Sequence, residues 1–207
     1  MRALVRRETG LVLERDYPMP APVDGEALIH VLLAGICNTD LEITRGYLDF
    51  QGVPGHEFVG VVEEVYGHVS QEQYGYLIGQ RVVGEINAAC HRPDCTYCQR
   101  GMPTHCPNRS TLGIVNRDGA FADYLMLPVE NLHLVPEHVS DEEAVFVEPL
   151  AANFEILEQV HNDAERFALE NERRVDLVVE CTGSAQGLEL ALRLVRPRGT
   201  VILKSTC

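Results

Sequence analysis

Apolar residues fall in short runs through the first two-thirds of the chain. ALIHVLLAG (27–35) is nearly unbroken, the pattern of a buried strand. FVGVVEEV (58–65) and RVVGEI (81–86) predict two more strands, the second following a turn-like IGQ. LVLERDYP (11–18) predicts another, closed by the proline-rich turn PMPAPVDG (18–25). GAFADYLMLP (119–128) alternates in part and stops at a proline, and LHLVPEHVSDEEAVF (132–146) passes from a short strand into an acidic turn. Many short strands punctuated by glycine and proline predict an all-β, barrel-like domain.

The pattern changes near residue 148. EPLAANFEILEQV (148–160) predicts a helix, whereas HNDAERFALENERR (161–174) is too charged to supply a core element. VDLVVECTG (175–183) predicts a buried strand that ends in a glycine turn. Ser184 can cap a helix through GLELALRLV (187–195), which Pro197-Arg198-Gly199 would end before a last strand, TVILK (200–204). Strand, helix and strand in that order predict a parallel α/β unit. The expected whole is an α+β chain, with a β domain over 1–150 and an α/β segment over 151–207.

Composition narrows the partners. The 207 residues carry 17 basic and 31 acidic side chains, a net charge of −14 that would repel a phosphate backbone, so nucleic acid is not an expected partner. No apolar run approaches a membrane span, and MRALVRRETG has neither an apolar signal core nor a cleavage site. The expected location is the cytoplasm.

Cysteine usage then changes the picture. Four of seven cysteines crowd into Cys90-x4-Cys95-x2-Cys98-x7-Cys106. In a reducing compartment such a cluster suits a closed, tetrahedral structural zinc site better than disulfides. His91 is an alternative ligand to Cys90. A second set is spread along the chain: Cys37 after a buried strand, His56 after a Pro-Gly turn, and Glu148 at the head of a helix. A thiolate, an imidazole and a carboxylate suit a zinc ion that keeps one position open, although a lone Cys or His is usually a packed core residue.

The surrounding strings decide between these readings. GICNTD, PGHEFVG, the cysteine cluster, DGAFADY and EPLA follow one another as in the medium-chain zinc-dependent alcohol and polyol dehydrogenases, which this chain resembles from its first strand to about residue 160 and again from VDLVVECTG onward. The resemblance implies a GroES-like catalytic barrel followed by part of a Rossmann-type domain. It implies that Cys37, His56 and Glu148 hold a catalytic zinc, the glutamate being typical of the polyol- and sugar-oxidising branch. Glu57 matches the family's acidic neighbour of the ligand histidine. Thr39 matches the hydroxyl that relays the substrate's proton, and Asp40 a residue that hydrogen-bonds the histidine. Thr39-x-x-Glu42 also has the form of a capping box, and Asp40 that of a first-turn carboxylate. Glu42 stands where many members continue the relay with a histidine. The cysteine cluster departs by two residues, HRPD filling a gap that is usually shorter.

The implied reaction moves a hydride between an alcohol, polyol or sugar hydroxyl and NAD or NADP. Thr182 and Gly183 would face the nicotinamide. No G-x-G-x-x-G turn is found, and by resemblance several tens of residues are missing near 160–162. A non-catalytic zinc-binding module is therefore the rival reading. The oligomeric state is left open, with a homo-oligomer among the arrangements.

Overall fold

Strand-forming runs set the architecture of this computed structural model, which describes residues 1–154, 175–180, 185, 188 and 195–203. In chain order, β1 (Ala3–Arg7), β2 (Gly10–Glu14) and β3 (Glu26–Gly35) lead into helix α1 (Asn38–Thr44) and β4 (Glu57–Val65). Helix α2 (His68–Tyr74), β5 (Arg81–Gly84), β6 (Asn87–Ala88), the one-turn α3 (Thr96–Gln99) and β7 (Ser110–Thr111) follow. Next come β8 (Tyr124–Pro128), β9 (Leu132–Leu134), α4 (Asp141–Ala144) and a helical stretch over 147–154. The last described elements are β10 (Val175–Glu180) and β11 (Val195–Leu203). The chain forms two compact units, Met1–Ala151 and Ala152–Cys207.

The first unit is built on an antiparallel five-stranded sheet in the order β8-β3-β4-β5-β9. β3 lies between β4 and β8, so both edges of the ALIHVLLAG run are paired and its near-continuous apolar character has a use. Ile29, Val62, Val82, Leu112, Leu125 and Leu127 pack into one core at 0–1% exposure. Each such side chain stabilises the fold by about 1.5–3 kcal/mol relative to exposure. β1 and β2 form a separate hairpin, and Val5 of β1 packs with Ala3 and Val53.

Three local features differ from the sequence expectation. Helix α2 forms where the pattern predicts no element; Tyr74 at its end packs against the core but Val69 is 72% exposed, so no apolar stripe announces it. The acidic stretch after β9 forms α4 rather than only a turn. Ser140 Oγ accepts from Glu143 N–H at 3.2 Å, and Glu143 Oε2 accepts from Ser140 N–H at 2.9 Å, a capping box.

The third lies in the second unit, where β10 and β11 pair in parallel as the strand–helix–strand pattern predicts. Pro197-Arg198-Gly199 does not separate a helix from the last strand. It falls inside β11, where the register jumps from Val175↔Val195 to Leu177↔Thr200. A proline lacks the N–H that a regular ladder needs, so an irregularity accommodates it. Most of the helix expected over 187–195, and its cap Ser184, lie outside the described residues.

Candidate metal centres

The first centre is assembled at the junction of β3, α1 and β4. β3 ends at Gly35, directly opposite Glu57, the first residue of β4. A Cβ at Gly35 would overlap the Glu57 carboxylate, so the glycine leaves the space that the carboxylate fills. Two residues later Cys37 is the N-cap of α1. Its thiol, a ring nitrogen of His56 and a carboxylate oxygen of Glu57 all lie within 4.8 Å of one another.

Asp40 ties this centre together from a 3% exposed position. Its Oδ2 accepts from Cys37 N–H at 2.8 Å, and its Oδ1 accepts from Gly55 N–H at 3.2 Å. Oδ1 also faces His56 Nδ1 at 3.3 Å, outside the alignment of a good hydrogen bond, and leaves the other ring nitrogen for a ligand. Thr39, also buried, places its Oγ1 3.7 Å from Cys37 Sγ. The helix therefore starts two residues before the alternative Thr39 cap, and Asp40 rather than Glu42 closes the box. Glu42 accepts instead from Arg45 at 2.6 Å.

The electrostatics of this pocket call for a cation. Burial alone would lower the His56 pKa, but Asp40, Cys37 and Glu148 outweigh it and raise it to about 10. His56 in turn holds the Cys37 thiol below its ordinary range, against the upward push of burial. Glu57 is raised, first by burial and then by Asp40. One thiol and three carboxylates thus crowd around one imidazole, a donor set that a divalent ion would neutralise.

The second centre is the cysteine loop. Cys90 Sγ lies 3.9 Å from Cys98 Sγ and 3.4 Å from Cys106 Sγ, while Cys95 Sγ lies 3.7 Å from Cys106 Sγ. Disulfide sulfurs would sit about 2.05 Å apart. Four sulfurs tetrahedrally placed about 2.3 Å from a zinc ion would sit roughly 3.8 Å from one another. The loop is thus spaced for the ion. All four cysteines are free. Burial and neighbouring thiols push Cys98 up to about 12. At Cys106 burial also pushes upward, but donors from Cys90 prevail and the pKa falls to about 6. Without a cation the four cannot all be thiolates. His91 Nε2 pairs instead with Glu130 Oε1 at 2.5 Å, and Cys90 is the residue that clusters with Cys95, Cys98 and Cys106.

Residues 23–137, more than half of the chain, match the alcohol dehydrogenase GroES-like domain. The chain belongs to this family. Among its relatives is an L-threonine 3-dehydrogenase of Xanthomonas oryzae pv. oryzae (strain MAFF 311018), 40% identical over 157 residues, a match that covers 72% of this chain and 44% of the relative. Another is the L-threonine 3-dehydrogenase of Stenotrophomonas maltophilia (strain K279a), 39% identical over the same length and coverage. The chain spans less than half the length of these relatives. Among solved structures, the alcohol dehydrogenase TADH from Thermus sp. ATN1 superposes with a TM-score of 0.69 at 26% identity, covering 98% of this chain and 77% of that one. A short chain alcohol dehydrogenase from E. coli CFT073, solved with NADH, shares the fold with a TM-score of 0.77 at 23% identity, over 98% of this chain and 75% of its own.

Within this alcohol dehydrogenase GroES-like domain, Cys37, Thr39, Asp40, His56 and Glu57 come together. So do Cys90, Cys95, Cys98 and Cys106. Glu148 stands outside the three-residue ligand set, although its charge reaches His56. Thr182 and Gly183 lie outside the described residues. Sequence reasoning passed over Gly35 and Gly55. Their signal was a glycine beside each expected ligand, in GICNTD and PGHEFVG.

Proposed function

We propose that this chain carries the zinc-binding catalytic part of a dehydrogenase that moves a hydride between a small secondary alcohol, polyol or sugar and NAD or NADP. The relatives named L-threonine 3-dehydrogenase add the hydroxyl of an amino acid to that substrate class. One observation carries the reading: Cys37, Thr39 and Asp40 share the first turn of α1 and meet the buried His56 there.

Cys37 and His56 would hold the ion, with Glu148 as the third protein ligand and Glu57 beside it. Zinc so held would supply a Lewis acid that lowers the pKa of a hydroxyl, and a nicotinamide would supply the hydride acceptor that redox-inert zinc cannot be. Thr39, whose Oγ1 lies 3.7 Å from Cys37 Sγ, would accept the hydroxyl's proton while giving its own to solvent water. Asp40, whose Oδ1 faces Nδ1 at 3.3 Å, would orient the imidazole. The four cysteines of the loop would hold a second ion and, with four thiolates filling its coordination, leave no position open for chemistry.

Metal analysis and turnover test this together. The purified chain is expected to hold two zinc ions, and Cys37→Ala one. With L-threonine, other secondary alcohols and polyols, Thr39→Ala is expected to lower kcat about 10²-fold at unchanged metal content. Two bound zinc ions with no hydride transfer to NAD or NADP from any of these substrates would favour the non-catalytic module instead.

A further inference from the structure

The DGAFADY string has no part in the chemistry above, yet it grips the turn that delivers His56. Three consecutive N–H groups of this string donate to three consecutive carbonyls of that turn. Gly119 reaches Val53 O at 2.7 Å, Phe121 reaches Pro54 O at 3.0 Å, and Ala120 reaches Gly55 O at 2.8 Å. In return Val53 N–H donates to Asp118 Oδ1 at 2.9 Å, and Tyr17 Oη donates to Asp118 Oδ2 at 2.7 Å. Side chains are excluded from this contact. A Cβ at Gly113 or Gly119 would overlap Gly55 O, and one at Gly52 would overlap Asp118 Oδ1.

We propose that Asp118 is a positioning residue for the first metal centre: it locks the Val53–Pro54–Gly55 turn, and through it the place of His56 against Cys37 and Asp40. The path is short. Gly55, whose carbonyl this string holds, gives its own N–H to Asp40 Oδ1, the oxygen that faces His56 Nδ1. A turn free to shift would move the imidazole and loosen its orienting carboxylate together. Ligand orientation of this kind is commonly worth 10–100-fold in metal affinity. The proposal rests on reading Cys37 and His56 as metal ligands.

Cobalt(II) titration of the full chain, followed by visible absorption, tests it, because a single-thiolate and a four-thiolate site differ in charge-transfer intensity. The wild type is expected to take up two ions. Asp118→Ala is expected to weaken the single-thiolate site about tenfold and shift its bands, with the four-thiolate site unchanged. Asp118→Asn keeps an oxygen for Val53 N–H and is expected to recover most of the loss. Wild-type affinity and spectrum in Asp118→Ala would overturn the proposal. If Asp118→Ala loses both ions through unfolding, Tyr17→Phe decides, since it only loosens the carboxylate: weakening confined to the single-thiolate site supports the role, and none overturns it. A wild type that binds one ion, at the cysteine loop alone, sinks the ligand reading itself, and this proposal with it.

Discussion

Single residues decide the first centre, and two of them make contrasting predictions. Gly35 leaves room for the Glu57 carboxylate. Gly35→Ala is expected to push Glu57 away from Cys37 while the sheet persists, because both residues lie in the unbroken stretch of β3–β4 pairing from Leu33↔Val59 to Gly35↔Glu57. An altered cobalt spectrum at the single-thiolate site, with unchanged far-UV circular dichroism, is the outcome to look for. Tyr17 predicts a pH dependence. Burial, and then its hydrogen bond to Asp118, raise its pKa from 10.0 to about 12. A raised pKa in the folded state means that the stabilisation is complete below pH 10 and is lost as pH rises through about 12. Denaturant unfolding at pH 9 and pH 11.5 is expected to show that loss in the wild type and a smaller one in Tyr17→Phe. Equal losses in the two would sink the assignment. Residues such as Cys37, His56 and Asp40 were legible because their chemistry is carried by residue type and surrounding string. Gly35, Gly55 and Asp118 act through space and backbone geometry, which spacing along the chain does not reveal.

At the level of elements, legibility followed the source of stability. β3, β4, β5 and β8 were visible because each buries an apolar face, and burial is written in residue type. α4 is held by a reciprocal cap and α2 by no apolar stripe, so hydrophobic periodicity could not find them. The Ser140–Glu143 box was nevertheless present as a capping signature at an acidic stretch. Ser140→Ala is expected to cost about 1 kcal/mol, read as a shift in denaturation midpoint at unchanged slope. A larger effect is expected where a charge links elements. Arg117 donates to both oxygens of Glu26 at the start of β3, at 2.9 and 2.7 Å, and also to Met126 O of β8 at 3.0 Å. The pair is largely buried, with side chains 19% and 11% exposed. Glu26→Ala leaves the guanidinium without its counter-charge and is expected to cost about 3 kcal/mol. A cost below that of Ser140→Ala would show that solvent screens this pair.

For the Met1–Ala151 unit as a whole, the two centres stand in different relations to the fold. The first lies between elements that the five-stranded sheet already fixes: β3 and β4 pair from Gly35↔Glu57 to Ala27↔Val65 without help from an ion. The second lies in a loop between β6 and β7, two residues each, with only the one-turn α3 and a short 3₁₀ turn inside it. Of its four cysteines Cys95 and Cys106 are buried, yet none joins the main hydrophobic core. That loop is tied down by surface polar contacts such as His91–Glu130 and Arg109–Asn87 but by no part of the apolar core, so metal binding there is folding energy for the loop. Chelation is therefore expected to act unevenly. Removing the ion from the first centre should leave the sheet intact, and removing it from the second should open residues 89–109 while Ile29, Leu125 and Leu127 stay packed. Limited proteolysis of the chelated chain is expected to cut first within 89–109, with β-sheet circular dichroism retained. Acid should act in the same direction, since protons compete with the metal for the thiolates and affinity falls as pH falls. Cooperative loss of the sheet signal together with the metal would mean instead that the cysteine loop nucleates the whole unit, and that the apolar core cannot hold it alone.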